Sequence, residues 1–126
     1  MSSSPDKEDP VKYLLLCCID EACWDALSQS QRDDIMRSYG ELIGDMHRSG
    51  KHLESAQLKS VSTAVTVRSS NGRPVVTDGP FAETKEQIGG YHLLECASRD
   101  EAVAIAKRIP TLAYGGVVEV RPLFAT

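Results

Sequence analysis

Two β-rich runs joined by Asn71-Gly72 constrain the fold of this chain more than any other feature. Residues 63–68 precede the pair and residues 74–78 follow it, and both runs are rich in Val and Thr. Asn-Gly between such runs predicts a two-residue type I′ hairpin turn, because both residues tolerate the positive φ that this turn requires. The resulting register puts four side chains on one face of the hairpin: Val65, Val67, Val76 and Asp78.

Two helices are predicted from a serine that stands three residues before a glutamine or glutamate. Ser28 with Gln31, and Ser98 with Glu101, each match a capping box, in which the two residues satisfy each other's backbone N–H groups. Apolar residues then recur after Ser28 at spacings of one, three and four, which predicts an amphipathic helix of about five turns. Pro110 ends the second helix.

Short apolar runs at residues 11–18, 91–96 and 117–121 predict three further strands. Together with the hairpin and the helices they give the order β-α-β-β-β-α-β. Without one hairpin extension, this is the β-α-β-β-α-β order of a ferredoxin-like fold. We therefore predict an α+β subunit with an antiparallel sheet and both helices on one face.

The predicted strands are apolar on both sides, which leaves one sheet face without cover. Leu14 and Leu16 alternate with Leu15, and Leu93 is followed by Leu94. Helices on one face can bury only half of these side chains. We expect a second copy of the chain to bury the other half through a two-fold homodimer.

Length, charge and composition exclude several classes of protein. A chain of 126 residues with a net charge of −4 is one acidic domain, which argues against a nucleic-acid partner or an anionic membrane surface. No run approaches eighteen apolar residues, so no membrane span is expected. Residues 1–10 are polar and predict a disordered leader before a domain over residues 11–126.

The cysteines indicate a reducing compartment. The chain has four cysteines and none of them forms a C-x-x-C pair. They are Cys17, Cys18, Cys23 and Cys96. We therefore expect reduced thiols in a cytoplasmic protein, with neither a metal site nor a cofactor.

Residues 76–86 read VTDGPFAETKE and continue to a Gly-Gly-Tyr sequence at residues 89–91. This run resembles the DGPF group of the YCII-related proteins, which are small bacterial proteins of the dimeric α/β-barrel type. The resemblance extends to an opening strand at residues 12–16, a first helix at residues 27–39 and an ending at residues 118–123. It covers about residues 11–123 and implies the same dimeric α/β barrel here.

The resemblance implies two alternative functions. Most members of the group have no assigned reaction and are often encountered beside extracytoplasmic-function sigma factors, which implies a non-catalytic regulatory or interaction module. The wider group includes a dehydrochlorinase acting on a chlorinated muconate-type lactone, and proteins proposed to use a His–Asp pair. This sequence departs from that pair, because no histidine lies close to its first strand. The alternative interpretation is a protein that binds a small organic acid and catalyses a lyase or isomerase reaction.

Asp78 and His92 are the candidate catalytic residues. A carboxylate at the end of an apolar face loses solvation, which favours its use as a general acid or base, although Asp78 can equally shape the following turn. His92 lies inside a predicted strand and is either an acid-base group or a packed structural histidine. His47 and His52 are expected at the surface, the latter in a loop.

The candidate substrate-binding residues have aromatic rings, polar tips or charges on predicted strands, the first helix and the motif loop. They are Tyr13, Tyr39, Phe81, Glu83, Lys85, Tyr91 and Arg121. The three tyrosines are expected to point into one cavity, whereas core packing is the alternative for the rings. Phe81 is expected to anchor its loop in the core or to line a cavity. A solvated run of ion pairs is the alternative for Glu83 and Lys85.

Overall fold

A four-stranded antiparallel sheet forms the centre of the computed structural model, which describes residues 11–81 and 85–125. In chain order the elements are β1 (Val11–Asp20), α1 (Glu21–Asp25), α2 (Gln29–Arg48), β2 (His52–Gln57), β3 (Val65–Ser70), β4 (Arg73–Asp78), β5 (Glu86–Cys96), α3 (Arg99–Ala106) and β6 (Val117–Pro122). The strand order in the sheet is β2-β5-β1-β6. This is the ferredoxin-like α+β arrangement predicted from the sequence.

The hairpin of β3 and β4 is an insertion between β2 and β5 and forms a separate two-stranded sheet. Its predicted register is confirmed, with Val65 opposite Asp78, and both Asn71 and Gly72 have positive φ. The hairpin face that carries Val65, Val67 and Val76 is not buried. These valines are each more than half exposed, with fractions of 57%, 64% and 65%.

The prediction that His52 lies in a loop is wrong, because His52 begins the edge strand β2. The strand reads HLESAQ, and only His52 and Ser55 in it are half-buried. An edge strand of this kind carries almost no apolar alternation, so its sequence does not show the period of two that predicts a strand.

The core fills the space between the helices and one face of the sheet. Alternate residues of β1 supply Tyr13, Leu15 and Cys17, which are all buried. The rest of this cluster is Leu42, Met46, Leu94, Cys96, Ala102, Ile105, Ala106 and Ile109. On the opposite face of the sheet, Leu14 pairs with Leu93 and both side chains stay half-buried.

The starts of the longer helices follow the predicted local chemistry, but α3 ends at Ala106 and not at Pro110, which begins a separate helical turn. Ser28 and Gln31 form the full capping box at the start of α2. At α3 the Ser98 hydroxyl accepts from Glu101 N–H, but the Glu101 carboxylate accepts from Ala97 N–H, one residue earlier than the motif predicts. Among the described residues, no helix combines the length and apolarity needed to cross a bilayer.

Candidate functional site

A cavity of about 680 Å³ opens between α2 and one end of the sheet. The side chains and backbone around it come from β1, α1, α2, β2, β5 and the segment after α3. Its volume is in the usual range for sites that bind small molecules. Both apolar side chains such as Ile43 and polar ones such as Ser55 line it, so it can bury a ligand and also orient it.

Two glycines of β5 line this cavity. Gly90 pairs with Cys17 of β1, and the register shifts there, so that Gly89 forms a bulge. A Cβ at Gly90 would lie 2.9 Å from the carbonyl oxygen of Ala56, which no side chain tolerates. The close approach of β2 to β5 therefore requires glycine at this position.

His92 is the buried titratable group of the cavity. Its side chain is 6% exposed, and its Nδ1 lies 2.5 Å from the Ser55 hydroxyl oxygen. The Tyr39 ring packs against the imidazole with 5.7 Å between the ring centres. Burial, and to a smaller extent the nearby His52, lower the pKa of His92 from 6.5 to about 4. The imidazole is therefore neutral at neutral pH.

Ser55 also contacts a second histidine, on the side away from the cavity. The Nε2 atom of His52 lies 2.7 Å from the Ser55 hydroxyl oxygen, and Nδ1 of His52 is buried without a hydrogen-bond partner. The ring centre of His47, an exposed residue of α2, is 4.3 Å from that of His52. Burial lowers the pKa of His52, and the charge of His47 lowers it further.

Tyr39 and Cys17 supply protonated groups to the cavity. Burial raises the pKa of the Cys17 thiol to about 11, and it also raises the pKa of the Tyr39 hydroxyl. The Tyr39 oxygen lies 3.5 Å from the Thr111 hydroxyl oxygen. At neutral pH both groups keep their protons, so Cys17 is not a thiolate nucleophile here, and the cavity offers hydrogen-bond donors to a ligand.

The comparison with known proteins agrees with this architecture. The YCII-related domain matches residues 11–125. The chain belongs to the YCII-related family. It is also similar to an uncharacterized protein of Rhizobium meliloti (strain 1021), with 39% identity over 112 residues that cover 88% of this chain and 90% of that protein.

Three of the predicted site residues of this YCII-related chain meet at the cavity. His92 and Tyr39 line it from β5 and α2, and Tyr91 is at its edge. The Tyr91 hydroxyl donates to the Glu54 carboxylate. Tyr13, the third predicted tyrosine, is 7% exposed and packs in the core instead of lining this cavity. For Tyr13 the core-packing alternative is therefore the one observed.

The DGPF motif lies on the inserted hairpin and does not line this cavity in its own subunit. Asp78 ends β4 with an exposed side chain, so the burial on which its acid-base role depends is absent here. Phe81 is 78% exposed with the Arg68 guanidinium above its ring, so the expected anchoring in the core or a cavity is wrong for this subunit. The turn is held by Thr66, whose hydroxyl donates to the carbonyl of Gly79.

The remaining predicted residues lie elsewhere. Lys85 is exposed and lines a shallower pocket with Asp20 and Gln87. Arg121 of β6 forms an ion pair of 3.5 Å with Glu119, and both side chains are exposed. Glu83 lies outside the described residues.

Sequence reasoning missed Ser55, Cys17 and Thr111 as cavity residues. Ser55 could not be predicted because β2 lacks the apolar alternation of a strand, and a serine in an expected loop does not indicate a binding site. The inward position of Cys17 follows from its alternation with Leu15, which was available in the sequence. In the part of the chain that the structure describes, no three His, Cys, Asp or Glu side chains are placed to hold a metal ion.

Proposed function

We propose that this YCII-related protein binds a small organic acid in the cavity and that His92 transfers a proton to or from it. The observation that carries the proposal is a neutral, buried imidazole, fixed by Ser55 through Nδ1, beside a cavity of ligand size. The bond to Nδ1 leaves Nε2 as the ring nitrogen available to a ligand.

Proton transfer next to a carbonyl suits these groups. One positioned base in a cavity that excludes water can supply the step, which is the chemistry of cofactor-independent lyases and isomerases. Tyr39 and Thr111 can donate hydrogen bonds to a developing oxyanion. Lys59 lines the cavity, together with Glu21 and Asp25, and has no ion pair with another described residue, so it can pair with a carboxylate of the ligand.

The acid-base role of Asp78 stays a prediction. Because its carboxylate does not line the cavity of its own subunit, such a role requires the hairpin of a second copy to reach the site. The regulatory reading with a sigma factor also stays a prediction, as does the cytoplasmic location.

Ligand binding is tested by titrating ¹⁵N-labelled protein with cis,cis-muconate and with an unsaturated five-membered lactone acid. Shifts should be centred on amides around the cavity, and Met36→Trp, which fills it from α2, should weaken binding at least tenfold. Leu53→Trp is the matched control, because Leu53 is similarly exposed but lies outside the cavity. Ligand-induced amide chemical-shift changes that are the same in Met36→Trp as in the wild type would refute binding in this cavity.

Proton transfer is tested by following solvent deuterium into the bound lactone acid at an sp³ carbon beside its carbonyl. His92→Gln should still bind the acid but lose at least a hundredfold of the exchange rate, because an amide is no base. Asp78→Asn should leave the rate unchanged under this assignment. The reverse pattern would give the acid-base role to Asp78 and remove it from His92.

We also propose that a second copy covers the open face of the sheet. Half-buried Leu14, Leu16 and Leu93 form its apolar centre. Residues of both charges surround this centre: Lys12 and Arg121 are basic, and Glu95 and Glu119 are acidic. A two-fold axis can bring opposite charges together across such a face, which makes the face complementary to its own copy.

A further inference from the structure

The Ser55 hydroxyl lies between two imidazoles, and this restricts where their protons can be. Its oxygen is 2.5 Å from Nδ1 of His92 and 2.7 Å from Nε2 of His52. A hydroxyl has one hydrogen to donate, so it cannot donate to both rings. At least one histidine must therefore donate to Ser55, and the tautomers of the two rings are linked.

Two neutral arrangements use the Ser55 hydrogen in one of the two hydrogen bonds; in a third, both rings donate to Ser55 and its hydrogen goes to another acceptor. In the first, His92 donates from Nδ1 to Ser55 and Ser55 donates to His52, so that Nε2 of His92 is a free base. In the second, His52 donates to Ser55 and Ser55 donates to Nδ1 of His92, so that Nε2 of His92 carries the proton and is an acid. Reversal of two hydrogen bonds thus converts Nε2 of His92 from acceptor to donor.

We propose that Ser55 is a proton bridge that joins His92 to His52, so that a proton taken from a ligand in the cavity is stored as positive charge on His52. The inference rests on the proposed function, which it deepens by naming where the proton goes. It makes Ser55 and His52 positioning and relay residues that act through His92.

The proposed transfer balances in three concerted moves from the first arrangement. The ligand's C–H or O–H proton passes to Nε2 of His92, and its bonding pair stays on the ligand. The Nδ1 proton of His92 passes to the Ser55 oxygen, and the Ser55 proton passes to Nε2 of His52. His92 and Ser55 end neutral, His52 ends as a cation, and the ligand ends as an anion; reversal returns the proton.

The surroundings allow the bridge to work in both directions. The groups that face the two rings are Tyr39 and His47 from α2 and Cys17 from β1, with Glu21, Asp25 and Lys59 at the cavity wall. The Glu21 carboxylate already accepts from the Ser60 hydroxyl and from Val61 N–H. No carboxylate among the described residues is hydrogen-bonded to either ring, so none fixes one tautomer.

The position of His52 explains why charge would be stored there. His92 is buried and lies deeper in the sheet, whereas His52 is half-buried at its edge, although its Nδ1 is buried without a hydrogen-bond partner and a charge on the adjacent His47 opposes one on His52. A cation costs less solvation free energy near water than in the interior. Moving the charge from His92 to His52 therefore lowers the cost of accepting a proton in the cavity.

The test is the ¹⁵N spectrum of the imidazoles, recorded across a pH titration of ligand-free protein with ¹⁵N-labelled histidine. A protonated His52 must donate to Ser55, which leaves the Ser55 hydrogen available to Nδ1 of His92 and so favours the Nε2–H tautomer of His92. We therefore expect the ring nitrogens of His92 to shift at the midpoint of His52 while His92 itself stays neutral. Ser55→Thr, which keeps the hydroxyl, should retain this coupling, and Ser55→Ala should abolish it.

The control is His47→Gln, which should leave the coupling between His52 and His92 in place. His92 nitrogens that do not respond to His52 in the wild type, or that respond equally in folded Ser55→Ala, would overturn the bridge. The deuterium exchange described above separates this failure from that of the proposed function. If the wild type shows the coupling but exchanges no ligand proton, the bridge stands and the proposed reaction is refuted. If it exchanges the ligand proton without the coupling, the reaction stands and the bridge is refuted.

Discussion

At the scale of single residues, burial of His92 links the stability of the subunit to pH. The folded protein holds this pKa at about 4, below its ordinary value of 6.5. Between these two values the unfolded chain binds more protons than the folded chain does, so the free energy of unfolding rises with pH there. The stabilisation is complete above about pH 6.5 and is lost as the pH falls toward 4.

We expect the free energy of unfolding to fall by up to about 3 kcal/mol between pH 7 and pH 4 because of this one side chain. Urea denaturation at a series of pH values measures it. His92→Gln should remove most of the dependence in that window, whereas His47→Gln, at an exposed site, should retain it. Equal slopes for wild type and His92→Gln would contradict the neutral, buried assignment.

At the scale of elements, capping sets where the long helix starts. The Ser28 hydroxyl accepts from Gln31 N–H at 3.1 Å, and the Gln31 side chain accepts from Ser28 N–H at 2.8 Å. Ser28→Ala should lower the free energy of unfolding by about 1 kcal/mol, because it leaves a backbone N–H without its partner. Thermal or urea unfolding measures the loss.

The matched control for this cap is Ser38→Ala, in the interior of α2, where the side chain is exposed. Alanine is the better helix former there, so we expect no loss and a slight gain in stability. Equal losses in the two variants would show that the cap has no specific effect.

The elements that could be predicted are those with strong local chemistry. The Asn71-Gly72 turn fixed its own register, and the capping boxes marked the starts of α2 and α3. β2 could not be predicted, because a polar edge strand is held by backbone pairing to β5 and not by a side-chain pattern. Because β2 was not predicted, the part of the candidate site that lies on β2 was not predicted either. His92 and Tyr39 were found, but Ser55 required knowledge of which strand lies beside β5.

At the scale of the whole molecule, two apolar surfaces of the subunit have no cover among the described residues. One is the open sheet face around Leu16, and the other is the hairpin face that carries Val65, Val67 and Val76. A two-stranded hairpin is marginally stable alone, and its exposed valines favour association. The open sheet face consists of apolar side chains of β1 and β5, the two central strands of the sheet. A second copy that buries this face should therefore stabilise the whole fold.

The proposed dimer is tested by light scattering after size exclusion. Wild type should have the mass of two chains, and Leu16→Lys should have the mass of one, because an ammonium group at the centre of the interface cannot be desolvated without a partner. Leu112→Lys, at an exposed site outside the sheet, should stay dimeric. Leu93→Glu repeats the test on β5, and circular dichroism confirms that each variant is folded. A wild type that runs as a single chain at micromolar concentration would remove the dimer, and with it the route by which Asp78 of one copy could reach the cavity of the other.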